Sequence, residues 1–295
     1  MCGIAGLIGS GLDRGDVEDV LRRFQRDLHH RGPDDCGAFV SRDGVAGLVN
    51  TRLAILDLSP AGHQPMSSSD GRYHIVFNGE IYNYAALRAE LLEEGCSFSS
   101  HCDTEVVLAM FIRYGPESVR ELAGMFAFAI WDALEQSCFL ARGPLGVKPL
   151  YYYQDGTQLI FSSELRAILK SGRLARQLCP SAVRGYLLFG AVPEPLTMVE
   201  GVRLLPAGHH ATWRAGKLRL RKFWDLQFAS DKTSREEATR KLRDALDESV
   251  QRHLVSDVPV GVFLTYKAMN DSTVFSKDFY GRLLQRLPFA RRRRA

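Results

Sequence analysis

The sequence of 295 residues contains no apolar run that approaches the roughly 20 residues needed to cross a bilayer. Its first residues have neither the basic segment nor the long apolar stretch of a signal peptide. None of the six cysteines forms a CxxC pair or a Cys/His cluster with zinc-ligand spacing. These absences predict a cytoplasmic protein with reduced thiols, without a metal site and without a membrane partner.

The chain also has little excess of either charge, with a formal net charge of +4. Six arginines lie among the last fifteen residues, which contain no acid, so the rest of the chain carries a net charge of −2. That body lacks the basic excess typical of nucleic-acid-binding domains. The terminal arginine run could contact nucleic acid. We interpret it as an unselected tail and expect no nucleic-acid partner.

Apolar patterning predicts a domain in which many strands alternate with a few helices. Residues 3–9 are small and apolar, which is typical of a buried strand. Asp16 is placed to cap the helix that follows, and Asn83 to cap a later one. Together these patterns predict an α+β layered domain as far as about residue 205.

Beyond this domain the pattern changes. Residues 206–233 are rich in Pro, Gly and Arg and are predicted to be a linker. Ser234 and Glu237 then form a capping box in front of an amphipathic helix, and a buried-type strand ends the segment 234–264. Residues 265–295 lose this patterning, and we interpret them as an aberrant basic tail.

Cys2 is the first candidate catalytic residue. Removal of the initiator Met would place an α-amino group beside its thiol. That amine has an ordinary pKa near ~8, so it can act as a general base without a histidine. Taken alone, a Cys-Gly pair at positions 2 and 3 fits a catalytic nucleophile and a chance cysteine near the start codon about equally well.

A series of short segments extends this pattern along the chain in one order. The segments are CGIAG at 2–6, HRGPDD at 30–35, RLAILD at 52–57, FNGEIYN at 77–83, DTE at 103–105 and GVKPLYY at 146–152. Over roughly residues 2–264 the chain closely resembles asparagine synthetases. Their glutaminase domains are class II glutamine amidotransferases, which are N-terminal-nucleophile hydrolases. The resemblance implies four αββα layers over residues 2–205, followed by the start of an α/β ATP-pyrophosphatase-type domain.

The resemblance also implies a role for each site residue. Cys2 would attack the side-chain amide of glutamine, and Asn78 and Gly79 would stabilise the oxyanion. The residues implied to bind glutamine are Arg52, Ile55, Leu56, Asn78, Gly79, Glu80 and Asp103. Arg52 can form a bidentate contact with the carboxylate, and Asp103 can take the ammonium. This step needs no cofactor.

Each of these residues also has an ordinary structural interpretation. Arg52 and Asp103, taken singly, are most often surface ion-pair partners. An Asn-Gly pair such as Asn78-Gly79 is most often a type I′ hairpin turn. Their joint fit to one substrate favours the functional interpretation.

The resemblance breaks after Leu264, which is the family's ATP-binding position. In asparagine synthetases a Ser-Gly-Gly-x-Asp-Ser loop follows, and its backbone reaches the ATP pyrophosphate. Here the corresponding residues are TYKAMN, without glycine. We therefore expect that this chain does not bind the ATP and Mg that the family's synthetase step uses. We interpret the segment as a truncated or frame-shifted end.

Three functions stay open at this stage. The first is a glutaminase whose ammonia goes to an ATP-activated aspartate, or to another acceptor in peptide or polysaccharide biosynthesis. The second is a catalytically idle remnant or partner subunit. The third is an arginine-tailed nucleic-acid binder, whose binding would depend strongly on salt. Glutamine is the expected ligand, and the oligomeric state stays open, a homodimer included.

Overall fold

The computed structural model describes residues 1–228 and 233–260. The chain forms two compact units, Met1–Leu226 and Gln227–Ala295. The predictions for Leu264 and for the basic tail lie outside the described residues. In the described part, no helix is both long enough and apolar enough to cross a membrane.

Two six-stranded antiparallel sheets form the first unit. In spatial order, the first sheet contains β10 (Val202–Leu204), β8 (Tyr151–Gln154), β9 (Gln158–Ser162), β1 (Gly3–Gly9), β3 (Ala46–Arg52) and β2 (Asp35–Val40). The second sheet contains β12 (Lys217–Lys222), β11 (His209–Arg214), β7 (Ser137–Arg142), β6 (Gly124–Asp132), β5 (Tyr73–Ile81) and β4 (Met66–Ser67).

Helices cover the outer faces of these sheets. The helices of the first unit are α1 (Arg14–Leu28), α2 (Tyr84–Glu93), α3 (Asp103–Tyr114), α4 (Leu165–Lys170) and α5 (Pro180–Phe189). The described part of the second unit contains α6 (Arg235–His253).

Three apolar cores separate the layers. Side chains alternate along β1, so that Ile4 and Ile8 enter the core between the sheets while Leu7 packs with Phe24 of α1. On the other side, Phe77 of β5 packs with residues of α2 and α3. The cores therefore define the four αββα layers that the resemblance implied.

Both predicted helix caps differ from the observed ones. Helix α1 begins before Asp16, because the carboxylate of Asp13 accepts the N–H groups of Gly15 and Asp16, at 2.9 and 3.3 Å. Asn83 does precede α2, but its side chain does not cap it. Its Nδ2 donates to the Glu121 carbonyl at 2.8 Å, and its Oδ1 accepts the Ala123 N–H at 2.9 Å.

The segment predicted as a linker contains β11 and β12. β11 pairs with β7, and Ala211 and Trp213 enter the core between the sheets. β12 lies at the edge of the sheet, and most of its side chains are exposed. The basic, exposed composition of β12 therefore resembles that of a linker, although its backbone pairs with β11.

The second unit bears out the predicted capping at Ser234, whose Oγ accepts the Glu237 N–H at 3.2 Å before α6. Residues 258–260, the described beginning of the predicted terminal strand, are not in a strand, and residues 261–264 lie outside the described part.

Packing of α1 can be tested by truncating a leucine. Leu21 is 2% exposed, so Leu21→Ala should lower the free energy of unfolding by about 2–5 kcal/mol. The matched control is Leu92→Ala in α2, where the side chain is 51% exposed and a change within about 0.5 kcal/mol is expected. Urea unfolding followed by circular dichroism measures both. Equal losses would contradict the assigned outer core.

Candidate active site

A cavity of about 110 Å³ lies where the two sheets and α3 meet. It is lined by all eight residues predicted for the site, namely Cys2, Arg52, Ile55, Leu56, Asn78, Gly79, Glu80 and Asp103. A larger depression of about 500 Å³, beside the basic residues of β11 and β12, contains none of them. The structure thus brings together Cys2 and Asp103, which are 101 positions apart in the sequence.

Cys2 immediately precedes β1 and lines the cavity. Its Sγ donates a weak hydrogen bond to the Leu53 carbonyl at 3.7 Å, and Arg31 Nε donates to the Cys2 carbonyl at 3.0 Å. Burial raises the pKa of the Cys2 thiol, although Arg52 opposes that change. The thiol is therefore mostly neutral at pH 7 and needs a base to become a nucleophile.

The N-terminal amine is the nearby candidate base, and in this chain it belongs to Met1. Burial lowers the pKa of the amine, and the positive charges of Lys148 and Arg31 lower it further. Cys2 and Asp34 act in the opposite direction. If Met1 is removed, the N-terminal amine is that of Cys2 itself, and a neutral amine beside the thiol can accept the thiol proton.

Arg52 ends β3 with its guanidinium buried at the cavity. Nη2 donates to the carbonyls of Leu56 and Asp57 at 2.8 and 2.6 Å. A Cβ at Gly62 would lie 2.2 Å from that nitrogen, so a glycine leaves room for the guanidinium. In the described part of the chain, the other two guanidinium nitrogens make no hydrogen bond, so they can bind an anion.

Asp103 is the first residue of α3 and is 5% exposed. Its Oδ2 accepts the Ile81 N–H at 3.0 Å. Burial raises the pKa of Asp103 to about 6, and the negative charge of Glu80 adds to this effect. A buried carboxylate of this kind favours a cation as its partner.

Asn78 and Gly79 lie inside β5, paired with Ala127 and Phe126 of β6, which excludes the hairpin-turn interpretation. A Cβ at Gly79 would lie 2.4 Å from the Met125 carbonyl, so the close strand approach requires glycine. The Nδ2 of Asn78 is buried and has no hydrogen-bond partner among the described residues. Because a buried unpaired donor costs about 1–3 kcal/mol, it indicates an acceptor on a ligand.

The Gly79 N–H faces the same side of β5 as the N–H groups of Phe77 and Ile81. The Phe77 N–H donates to Gln64 Oε1 at 2.7 Å, and the Ile81 N–H donates to Asp103. Backbone N–H groups of alternate strand residues point to the same edge. The Gly79 N–H therefore points to the edge of β5 away from β6.

Sequence reasoning did not find four other residues that line or support the cavity: Asn50, Gln64, Thr104 and Lys148. Lys148 lines the cavity and is 7% exposed. Gln64 is 4% exposed and joins Asn50, Phe77 and Thr104 by hydrogen bonds. The one available signal for Lys148 was its place in GVKPLYY, and the amide contacts of Gln64 have no local signature. Among the described residues, no group of three His, Cys, Asp or Glu side chains could hold a metal.

Comparison with known proteins identifies the family of the first unit, Met1–Leu226. The family model of the glutamine amidotransferase domain matches residues 1–224. Asparagine synthetase (glutamine-hydrolyzing) 1 of Bacillus subtilis is 37% identical over 268 residues, which cover 90% of this chain and 42% of that protein. Asparagine synthetase B (glutamine-hydrolyzing) of Escherichia coli is 33% identical over 269 residues, with 90% and 42% covered. This chain thus spans less than half the length of both relatives.

The fold also matches a solved structure. Glutamine phosphoribosylpyrophosphate amidotransferase from B. subtilis superposes with a TM-score of 0.55 at 18% identity, and the match covers 76% of this chain and 49% of the other. The match supports the two-sheet fold.

Two buried asparagines allow a test of the unpaired amide. Asn78→Leu removes a side chain whose Nδ2 has no partner, so its free energy of unfolding should stay within about 1 kcal/mol of the parent value or rise. Asn50→Leu leaves Gln64 Oε1 and the Phe77 carbonyl each one donor short, so a loss of about 1–3 kcal/mol is expected. Urea unfolding of both variants measures the difference. A larger loss for Asn78→Leu would show that Asn78 has a structural partner.

Proposed function

This chain belongs to the glutamine amidotransferase family, and we propose on that premise that its cavity hydrolyses glutamine to glutamate and ammonia. One observation carries the proposal. A thiol, an unpaired amide donor, a buried guanidinium and a buried carboxylate line the same cavity of about 110 Å³. Free glutamine presents a carboxylate for the guanidinium, an ammonium for the buried carboxylate, and an electrophilic amide for the thiol and the amide donor.

Substrate binding uses the charged groups. The carboxylate of glutamine accepts from the free guanidinium nitrogens of Arg52. The ammonium lies against Asp103, with Glu80 supplying a second negative charge. Ile55 and Leu56 follow Arg52 and line the same cavity. The two ends of the substrate held in this way direct its amide towards Cys2.

Catalysis begins when the α-amine of Cys2, exposed by removal of Met1, accepts the thiol proton. The thiolate attacks the amide carbon, and the negative charge that develops on oxygen is stabilised by Asn78 Nδ2 and the Gly79 N–H. The α-ammonium returns the proton to the leaving nitrogen, and ammonia departs. Water then attacks the thioester, the same amine accepts the water proton, and glutamate is released as the thiol reforms.

The use of the ammonia is a separate proposal. The names of the two synthetases above indicate an aspartate carboxylate as its acceptor, and another acceptor remains the alternative. ATP and Mg would serve that later step. Because Leu264 and the residues after it lie outside the described part, no ATP contact is assigned. Cytoplasmic location, a homodimer and the absence of nucleic-acid binding remain predictions, as do the domain limits at 233 and 264. The complete set of site residues argues against an idle remnant.

The role of Cys2 as the nucleophile is tested by substitution, and the removal of Met1 is tested by mass spectrometry. Cys2→Ala should reduce ammonia release from glutamine to background, since the variant keeps the α-amine but has no thiol to attack the amide carbon. The control Cys36→Ala changes an exposed free cysteine and should retain activity. Mass spectrometry of the active chain should show that Met1 is removed. Full activity in a chain that retains Met1 would contradict the free-amine mechanism.

The Asp103 role predicts a pH dependence. With a pKa of about 6, Asp103 is charged above that pH and neutral below it. Hence kcat/KM for glutamine should fall as the pH falls through about 6, because the neutral carboxyl no longer attracts the ammonium. Glu80→Gln removes a charge that raises this pKa and should move the inflection to lower pH.

Asp103→Asn is the matched control for this inflection. It should raise KM and remove the step near pH 6, while the ionisation of the amine should remain. If the step persists in Asp103→Asn, it belongs to another group and the assignment is wrong.

A further inference from the structure

We propose that Gln64 is a positioning residue that holds the oxyanion donors and the ammonium-binding carboxylate in one fixed arrangement. The inference rests on the proposed glutamine hydrolysis. Gln64 lines the cavity, but its amide is engaged by the protein on both sides. It therefore acts on the substrate through its neighbours.

The amide of Gln64 connects three parts of the fold. Oε1 accepts the Phe77 N–H at 2.7 Å and the Nδ2 of Asn50 at 3.0 Å. Nε2 donates to Thr104 Oγ1 at 3.1 Å. Asn50 lies in β3 of the first sheet, Phe77 in β5 of the second, and Thr104 in α3. One side chain thus joins both sheets and a helix.

Gln64 contacts Phe77 and Thr104, each of which is next in sequence to a residue at one end of the proposed substrate site. Phe77 precedes Asn78, and its carbonyl accepts from Asn50 Nδ2 at 3.2 Å. Both polar groups of the Phe77 backbone are therefore held by side chains. Thr104 follows Asp103 in the same first helical turn. A shift of Gln64 would change the distance between the oxyanion donors and the ammonium site.

These hydrogen bonds also reach the first sheet, where β1 directly follows Cys2. Asn50 of β3 pairs with Ile4 of β1, two residues after Cys2. Asn50 is 1% exposed and Gln64 is 4% exposed, so these bonds form away from solvent. Hydrogen bonds in such surroundings hold their geometry strongly, because their groups have no water as an alternative partner.

The amide of Gln64 both accepts, from Phe77 and Asn50, and donates, to Thr104. A carboxylate can accept but cannot donate, and a thioether does neither well. Gln64→Met keeps the approximate volume and removes all three bonds. Gln64→Glu keeps the acceptor for Phe77 and Asn50 and places a negative charge near Asp103. The two variants therefore separate the acceptor function from the donor function.

The experiment measures kcat and KM for glutamine in the full chain, with folded active sites counted by covalent labelling with 6-diazo-5-oxo-norleucine. Gln64→Met should lower kcat per active site by about tenfold or more and should raise KM. Thr104→Val removes the acceptor on the α3 side alone, so it should raise KM while kcat stays within about twofold. Gln64→Glu should recover most of kcat and move the pH inflection of kcat/KM upward.

The matched control is Gln154→Met. Gln154 of β8 donates to the Gly216 carbonyl at 2.6 Å and does not line the cavity, so kcat and KM should be unchanged. If Gln64→Met does not fold, Thr104→Val and Gln64→Glu still decide the question, because each removes one bond at most. Unchanged kcat and KM in the folded Gln64 variants would overturn the inference. Absence of glutamine hydrolysis in the parent chain would instead overturn the proposed function.

Discussion

The open edge of β5 is the constraint on which the candidate site depends. Within the described chain, β4 pairs with β5 only at Ile75 and His74, so β5 continues past Phe77 without a strand on that side. Its N–H groups must find other partners, because a buried unpaired N–H costs about as much as a lost hydrogen bond. Gln64 and Asp103 supply two partners, and the Gly79 N–H lies between them. The Gly79 N–H is therefore the donor at this edge that the proposed oxyanion would use.

The same site keeps opposite charges apart in a buried space. Arg52 bonds to carbonyl oxygens, and Asp103 bonds to a backbone N–H. Each group therefore keeps capacity for a ligand of the opposite charge, which a direct ion pair between them would remove. The raised pKa of Asp103 is the measurable consequence of this arrangement. Proteins commonly tolerate such costs at functional sites.

Some local features followed directly from the order of residues, and others did not. The β1 strand was predicted because residues 3–9 form a continuous run of small apolar side chains. The cap at Asp13 was missed because Asp13 and Asp16 are chemically identical candidates. β12 was missed because an edge strand with exposed basic side chains has no apolar alternation to recognise.

The sequence alone specified the family resemblance, the alternation of strands and helices, and the identity of the eight candidate site residues. Those properties depend on residue types at near positions, which a linear pattern contains. Tertiary structure alone decided that Arg52, Asn78 and Asp103 share one cavity with Cys2. It also decided that Asn78 and Gly79 lie in a strand, and that Gln64 joins both sheets. The reason is physical, because burial and hydrogen-bond partners are set by segments far apart in the chain, and they exist only after the sheets pack.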